Sequence, residues 1–128
     1  MLKGNFITQG KKIDEFEKHI AQKTGAKFAV VFSSGTAALH SACFAAGIEK
    51  EDEVITTPIT FCASANCVLY CGGTPVFADI NPETYNIDIK SIKKRISKKT
   101  KAIIPVHFTG QPCEMDMILK IADKYGLT

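Results

Sequence analysis

The chain has 128 residues, 45% of them hydrophobic and 23% charged, with nine glycines and five prolines. That composition excludes collagenous, coiled-coil and disordered classes, and one domain of this size buries roughly two-thirds of its chain surface. The formal charge is +3, and its excess is local: seven basic residues and no acidic one lie between Lys90 and Lys101, so the rest of the chain is mildly acidic and nucleic-acid binding is not implied. The apolar run Phe28–Phe32 falls far short of the ~18 residues that a membrane span needs. The stretch Met1-Leu2-Lys3-Gly4-Asn5 lacks the apolar core of a secretory signal, so a cytoplasmic protein is expected.

In chain order, Ile13, Phe16 and Ile20 recur at helical spacing behind an acidic first turn, and Thr24-Gly25 closes that amphipathic helix. Phe28–Phe32 reads as a fully buried strand. Ser33-Ser34-Gly35-Thr36 leads into an alanine-rich helix over Ala37–Ala46. Glu53–Thr56 is a strand stopped before Pro58, and Phe61–Cys71 is a third helix ended by Gly72-Gly73. Pro75–Asp79 is a strand, Asn81-Pro82-Glu83-Thr84 a turn, and Asp88 caps a helix with Ile89, Ile92 and Ile96 on its core face. The lysines 90, 93, 94, 98, 99 and 101, with Arg95, flank that face and belong to a solvated surface. Lys101–Val106 is the last strand and Asp116–Tyr125 the last helix. One helix followed by four β-α units predicts an α/β fold, a mostly parallel sheet with helices on both faces in three layers.

The cysteines, 43, 62, 67, 71 and 113, are odd in number and form no C-x-x-C pair, so no zinc site is expected. They read as small buried thiols in a reducing compartment.

Ligands of a parallel α/β sheet bind at the carboxyl ends of its strands, which singles out four loops. Ser33–Thr36 joins a strand to a helix whose first N–H groups are unpaired, with Gly35 allowing close backbone approach. This is a phosphate cradle by mechanism, and equally an ordinary helix cap. It is neither a P-loop nor a dinucleotide fingerprint. In Thr57-Pro58-Ile59-Thr60-Phe61 the ring of Phe61 either stacks on a flat phosphorylated ligand or packs beneath the helix. His107, in His107–Gln111, is a candidate acid, base or hydrogen-bonding residue, or a packing residue. Neither Asp79 nor Asp88 is assigned to catalysis, and His19 and His40 have no evident partner.

Five segments in order carry a resemblance: Ile7-Thr8-Gln9-Gly10; Phe32-Ser33-Ser34-Gly35-Thr36-Ala37-Ala38-Leu39; Glu53 through Phe61; Pro75-Val76-Phe77-Ala78-Asp79-Ile80; and Pro105-Val106-His107-Phe108-Thr109-Gly110-Gln111-Pro112. This series resembles the DegT/DnrJ/EryC1/StrS family of sugar aminotransferases, from Asn5 onward. The resemblance implies the type I fold of enzymes that use pyridoxal 5'-phosphate. Within the family, Thr56-Thr57-Pro58-Ile59-Thr60-Phe61 is most similar to the pseudaminic-acid branch, which aminates a UDP-linked 4-keto-6-deoxy sugar, with glutamate the expected donor.

Carried over residue by residue, the resemblance makes Ser34, Gly35, Thr36 and Ala37 the cradle of the cofactor phosphate and Phe61 the aromatic stacked on its ring. It makes Asn5, Phe6, Ile7 and Thr8 nucleotide-sugar contacts, with Gly35 also touching the substrate, and implies a homodimer. The Schiff-base lysine and the acid that keeps the pyridine nitrogen protonated lie C-terminal to this segment in the family pattern. The expectation is therefore the N-terminal part of a large cofactor-binding domain, without its second domain and inactive alone. A non-catalytic phosphate-binding module and a family sugar dehydratase are the alternative readings.

Overall fold

The computed structural model describes residues 10–128 and contains two compact units, one extending to Ala38 and the other spanning Leu39–Thr128. The second unit holds the sheet. Its three strands, β1 (Glu53–Thr56), β2 (Thr74–Phe77) and β3 (Thr100–Ile103), are all parallel and lie in the order β2-β1-β3. The chain moves from β1 to β2 on one side, then crosses back over β1 to β3. Right-handed crossovers in opposite directions require the connecting helices to lie on opposite faces. They do: α3 (Ala63–Tyr70) packs Cys67 and Val68 against Val54 and Ala102, whereas α4 (Ile89–Arg95) packs Ile89 and Ile92 against Ile55 and Ile103.

The two-residue period of a strand explains this division. Val54 and Ile55 are consecutive, point to opposite faces and are both completely buried. Cys43, in α2 (Gly35–Ala45), joins the α3 side, and Ile118 and Ile121, in α5 (Met115–Tyr125), join the α4 side. The three-layer α/β arrangement expected from the alternation is thus present. Beyond α5, the N–H of Thr128 donates to the Lys101 carbonyl and its own carbonyl accepts from Ile103, so the backbone there pairs along the outer edge of β3.

The local signals for α4 act as expected. The Asp88 carboxylate accepts from the Ser91 N–H at 2.8 Å, Ile89 and Ile92 are buried, and Lys90, Lys93, Lys94 and Arg95 are exposed. β3 ends earlier than predicted, at Ile103, shortly before Pro105, whose ring has no N–H to continue a ladder.

In the unit that extends to Ala38, α1 (Lys11–Thr24) ends on Gly25 in the left-handed conformation. Phe28–Phe32 is not a strand, contrary to expectation. No described segment pairs with it, and an apolar run becomes a strand only when its backbone groups find a partner. Among the described residues, a side chain holds only its Val31 N–H, through Glu17 Oε1 at 2.9 Å. Phe28 and Val30 are exposed, as are Ile13, Phe16 and Ile20, the predicted core face of α1.

Gly73 shows how tightly the second unit is closed. A Cβ there would lie 2.8 Å from Ile48 Cγ2, 3.1 Å from Val68 Cγ1 and 3.2 Å from the Asp52 carbonyl oxygen. Gly73→Ala is expected to destabilise the protein by about 1–3 kcal/mol through overpacking, measured as a lower midpoint of urea denaturation.

Candidate functional site

The cradle candidate lies where the extended Phe28–Phe32 segment enters α2. The hydroxyl of Ser34 accepts from the Ala37 N–H at 3.2 Å and its carbonyl accepts from the Ala38 N–H. Ser34 is thus a helix cap, as the plainer reading had it, and its cap leaves the first amides of α2 available. Among the described residues, no acceptor engages the N–H of Gly35 or Thr36. Gly35 is exposed, and among the described residues no atom lies within 4 Å of where its Cβ would stand. Its missing side chain therefore serves no packing among the described residues, in contrast to Gly73. Phe16, Ile20, Val30, Val31, Ser34 and Gly35 border an open depression of about 280 Å³. Asn5, Phe6, Ile7 and Thr8, expected to contact substrate, lie outside the described residues.

In the Leu39–Thr128 unit, Phe61 and His107 follow β1 and β3 at the carboxyl edge of the sheet. Thr56 and Thr57 are fully buried: Thr56 Oγ1 donates to the Ile104 carbonyl at 3.0 Å, and Thr57 Oγ1 accepts from the Ile59 N–H. Beyond the turn, the hydroxyls of Thr60 and Ser64 pair at 2.9 Å. The backbone on both sides of Phe61 is pinned, yet the ring itself is 72% exposed. That argues against the packing alternative for Phe61. The helix also begins later than predicted, at Ala63, which leaves both Phe61 and Cys62 outside it.

His107 is exposed, and its Nδ1 lies 3.1 Å from the Cys113 N–H, which donates to it. A ring nitrogen that accepts carries no proton, so the neutral imidazole has its proton on Nε2. His107 thus braces its own loop through one nitrogen and leaves the other as a donor. Asp79 uses its carboxylate locally, accepting from the Ile80 N–H at 2.8 Å.

The residue that the sequence did not single out is Asn86. It is 5% exposed, and its carboxamide is fully engaged. Oδ1 accepts from the Phe108 N–H, and Nδ2 donates to the carbonyls of Gln111 and Pro112, all at 3.0 Å. The only available signal was a polar residue between Tyr85 and Ile87 after a recognised turn, which does not distinguish a buried asparagine from a loop one.

The thiols are not uniform. Cys43, Cys67 and Cys113 are buried as expected, but Cys62 is exposed just before α3. Cys43 Sγ lies 3.5 Å from Cys67 Sγ. Burial, reinforced by the neighbouring thiol of Cys67, pushes the Cys43 thiol up to about 12. Burial also raises the Cys113 thiol, against the lowering effect of nearby backbone groups. Among the described residues, no three His, Cys, Asp or Glu side chains group as a metal site, and no helix is long and apolar enough to cross a membrane.

Comparison with known proteins adds identity to this geometry. The DegT/DnrJ/EryC1/StrS aminotransferase family matches residues 1–128. GDP-perosamine synthase of Caulobacter vibrioides is 48% identical over 92% of this chain and 32% of its own length. Helicobacter pylori PseC, an aminotransferase involved in the biosynthesis of pseudoaminic acid, superposes with a TM-score of 0.89 at 38% identity, over 99% of this chain and 34% of its own. NtdA of Bacillus subtilis, solved with its cofactor PMP bound, gives 0.91 at 38% identity, over 94% and 28%. The chain spans about a third of the length of the curated relatives it matches. These relatives are pyridoxal-phosphate enzymes of the type I fold. Each unit by itself carries features that fit that group: in one, the Gly35 and Thr36 amides have no acceptor among the described residues, beside an open glycine, and in the other Phe61 has an unpacked ring on a pinned backbone.

The raised Cys43 thiol makes a pH prediction. Its folded value, about 12, lies above the ordinary 9.0. The folded state holds this proton more tightly, so its contribution is complete below pH 9 and is lost as pH rises from 9 towards 12. Urea midpoints measured between pH 8 and 10.5 are expected to fall less steeply in Cys43→Ala than in the unsubstituted protein. Equal slopes would show that the thiol carries no such linkage.

Proposed function

Because the chain belongs to the DegT/DnrJ/EryC1/StrS aminotransferase family, we propose that it is the N-terminal part of the large cofactor-binding domain of a sugar aminotransferase. The enzyme transfers an amino group from glutamate to the keto carbon of a nucleotide-linked 4-keto-6-deoxy sugar, UDP-linked, for surface-glycan synthesis in the cytoplasm. The observation that carries this reading is the family match over the whole chain, supported by the likeness to GDP-perosamine synthase and PseC.

In this reading the first turn of α2 receives the cofactor phosphate. Gly35 and Thr36 donate backbone N–H groups, reinforced by the partial positive charge of the helix start, while Ser34 keeps the turn in place. Ala37 completes the cradle. Phe61 stacks on the pyridine ring. Bound there, pyridoxal phosphate supplies an electron sink for the carbon that loses its proton. His107, held by the Cys113 amide, offers its Nε2–H to the ligand. Asn5, Phe6, Ile7 and Thr8 contact the nucleotide sugar, with Gly35 beside it.

The family's Schiff-base lysine and pyridinium acid belong to sequence C-terminal to this segment, so residues 1–128 alone are not expected to catalyse transamination. The enzyme works as a homodimer. Phe44, Leu69 and Tyr70, exposed on α2 and α3, supply apolar surface for such a contact.

The direct test incubates the full enzyme with pyridoxal phosphate, glutamate and a UDP-linked 4-keto-6-deoxy sugar, with the GDP-linked analogue in parallel. Amination of the UDP substrate is expected; turnover of the GDP sugar alone would reassign the nucleotide, and turnover of neither would defeat the reading. Two substitutions test the site. Gly35→Val meets no obstacle among the described residues and should leave the circular dichroism spectrum unchanged while abolishing cofactor absorbance; full cofactor content would place the phosphate elsewhere. Phe61→Ala should weaken cofactor binding roughly tenfold, about 1.4 kcal/mol, as loss of a stacked aromatic contact predicts. Because the Phe61 ring is exposed, folding stability should stay nearly constant.

A further inference from the structure

We propose that Asn86 is a positioning residue for the cofactor: its buried carboxamide holds the loop 107–112 as one wall of the ring seat, an inference that rests on the cofactor reading above. The starting point is topology. β1 is the central strand, and the loop after it carries Phe61. β3 lies directly beside β1, so the segment that leaves β3 flanks the loop that carries the ring. That segment has little regular structure. It contains one 3₁₀ turn, Phe108–Gly110, with Thr109 at φ 51° and Gly110 at φ 89°. A threonine in the left-handed region persists only when its surroundings over-determine the backbone.

Asn86 is the main source of that determination. It bonds three backbone groups lying 22 to 26 residues further along the chain, at both ends of the turn. His107 closes the same loop through Cys113, and the Cys113 thiol donates to the Val106 carbonyl at 3.1 Å. Asn86 is itself anchored: its carbonyl accepts from the Asn81 N–H, and Ile87 beside it bridges to Ile80 just past β2. Tyr85, at φ 59°, lays its ring 6.0 Å from that of Phe108. One side chain thus ties the exit of β3 to the exit of β2 across the carboxyl edge.

The three bonds need one acceptor and two donors on a single short side chain, and only a carboxamide supplies them. An aspartate has the same shape, but ionised it accepts only, so it would face the Gln111 and Pro112 carbonyls with nothing to donate.

The experiment compares Asn86→Asp and Asn86→Gln with the unsubstituted full enzyme by two measurements. Hydrogen exchange on the cofactor-free protein reads the anchoring: in Asn86→Asp, which keeps the acceptor for the Phe108 N–H but loses both donors, the Gln111 and Cys113 amides are expected to exchange at least about tenfold faster while those of Ile55 and Ile103 stay protected. Titration with pyridoxal phosphate, followed by absorbance, reads the positioning: the dissociation constant is expected to rise about tenfold in Asn86→Asp and to recover in part in Asn86→Gln, which keeps the amide. Where Asn86→Asp does not fold, Asn86→Ser, neutral and smaller, carries both measurements. Faster exchange with an unchanged dissociation constant would overturn the proposal, reducing Asn86 to a loop anchor, and unchanged exchange would overturn it at its first step. Failure of the unsubstituted enzyme to bind pyridoxal phosphate would defeat the cofactor reading itself, and that result is seen before any substitution is made.

Discussion

A short parallel strand with a neighbour on each side has no solvent-facing surface, and that constraint on β1 organises the Leu39–Thr128 unit. Val54 and Ile55 must both be apolar because one meets α2 and α3 and the other meets α4 and α5. Because β1 is already paired on both edges, its backbone donors and acceptors are spent, and the chain can leave it only at the carboxyl end. There the burial continues: Thr56 and Thr57 are as inaccessible as the two aliphatic residues before them. A buried hydroxyl without a partner is costly, so each is bonded to backbone, and those bonds fix the turn that presents Phe61. The exposure of Phe61 is thus a consequence of how completely its neighbours are buried.

The same logic extends to the next strand exits. The carboxyl-edge loops are held by side chains bonded to backbone: threonine after β1, the Asp79 carboxylate after β2, asparagine between the exits of β2 and β3, and histidine within the loop after β3. The two ion pairs of the described residues, Lys12 with Glu15 and Lys99 with Glu51, are exposed. The second of them lies at the opposite, amino edge of the sheet, beside the start of β1.

What the sequence revealed followed how local the physics was. The α4 helix was legible because its cap, its isoleucine face and its lysine-rich outer surface all lie within a dozen residues. Alternation of elements was enough to predict the parallel sheet and its two covered faces. Phe28–Phe32 was misread because an apolar run specifies only that a segment seeks burial, whereas a strand also needs a partner backbone, which no pattern within five residues encodes. Cys62 was misread with it: an apolar stretch was taken as helix from Phe61, two residues too early, and burial was inferred from the helix. For the site, the residue types at Ser33–Thr36 and at Phe61 are visible, but the cap made by Ser34 and the openness of Gly35 are not, because a serine that caps and a glycine that stays open use the same four letters. Asn86 was invisible for the opposite reason. All three of its partners lie more than twenty residues away.

The two glycines Gly35 and Gly73 separate structural from functional demand with one residue type. At Gly73 the space for a side chain is already filled by Ile48, Val68 and the backbone of Asp52, so the fold itself requires the missing Cβ. At Gly35 nothing in the described structure fills that space, and the backbone conformation is one that other residues adopt freely. The described structure thus gives no packing reason for the missing side chain at Gly35 and leaves its backbone open to close approach. The cradle proposed above rests on two such features, an open glycine and amides that have no acceptor among the described residues.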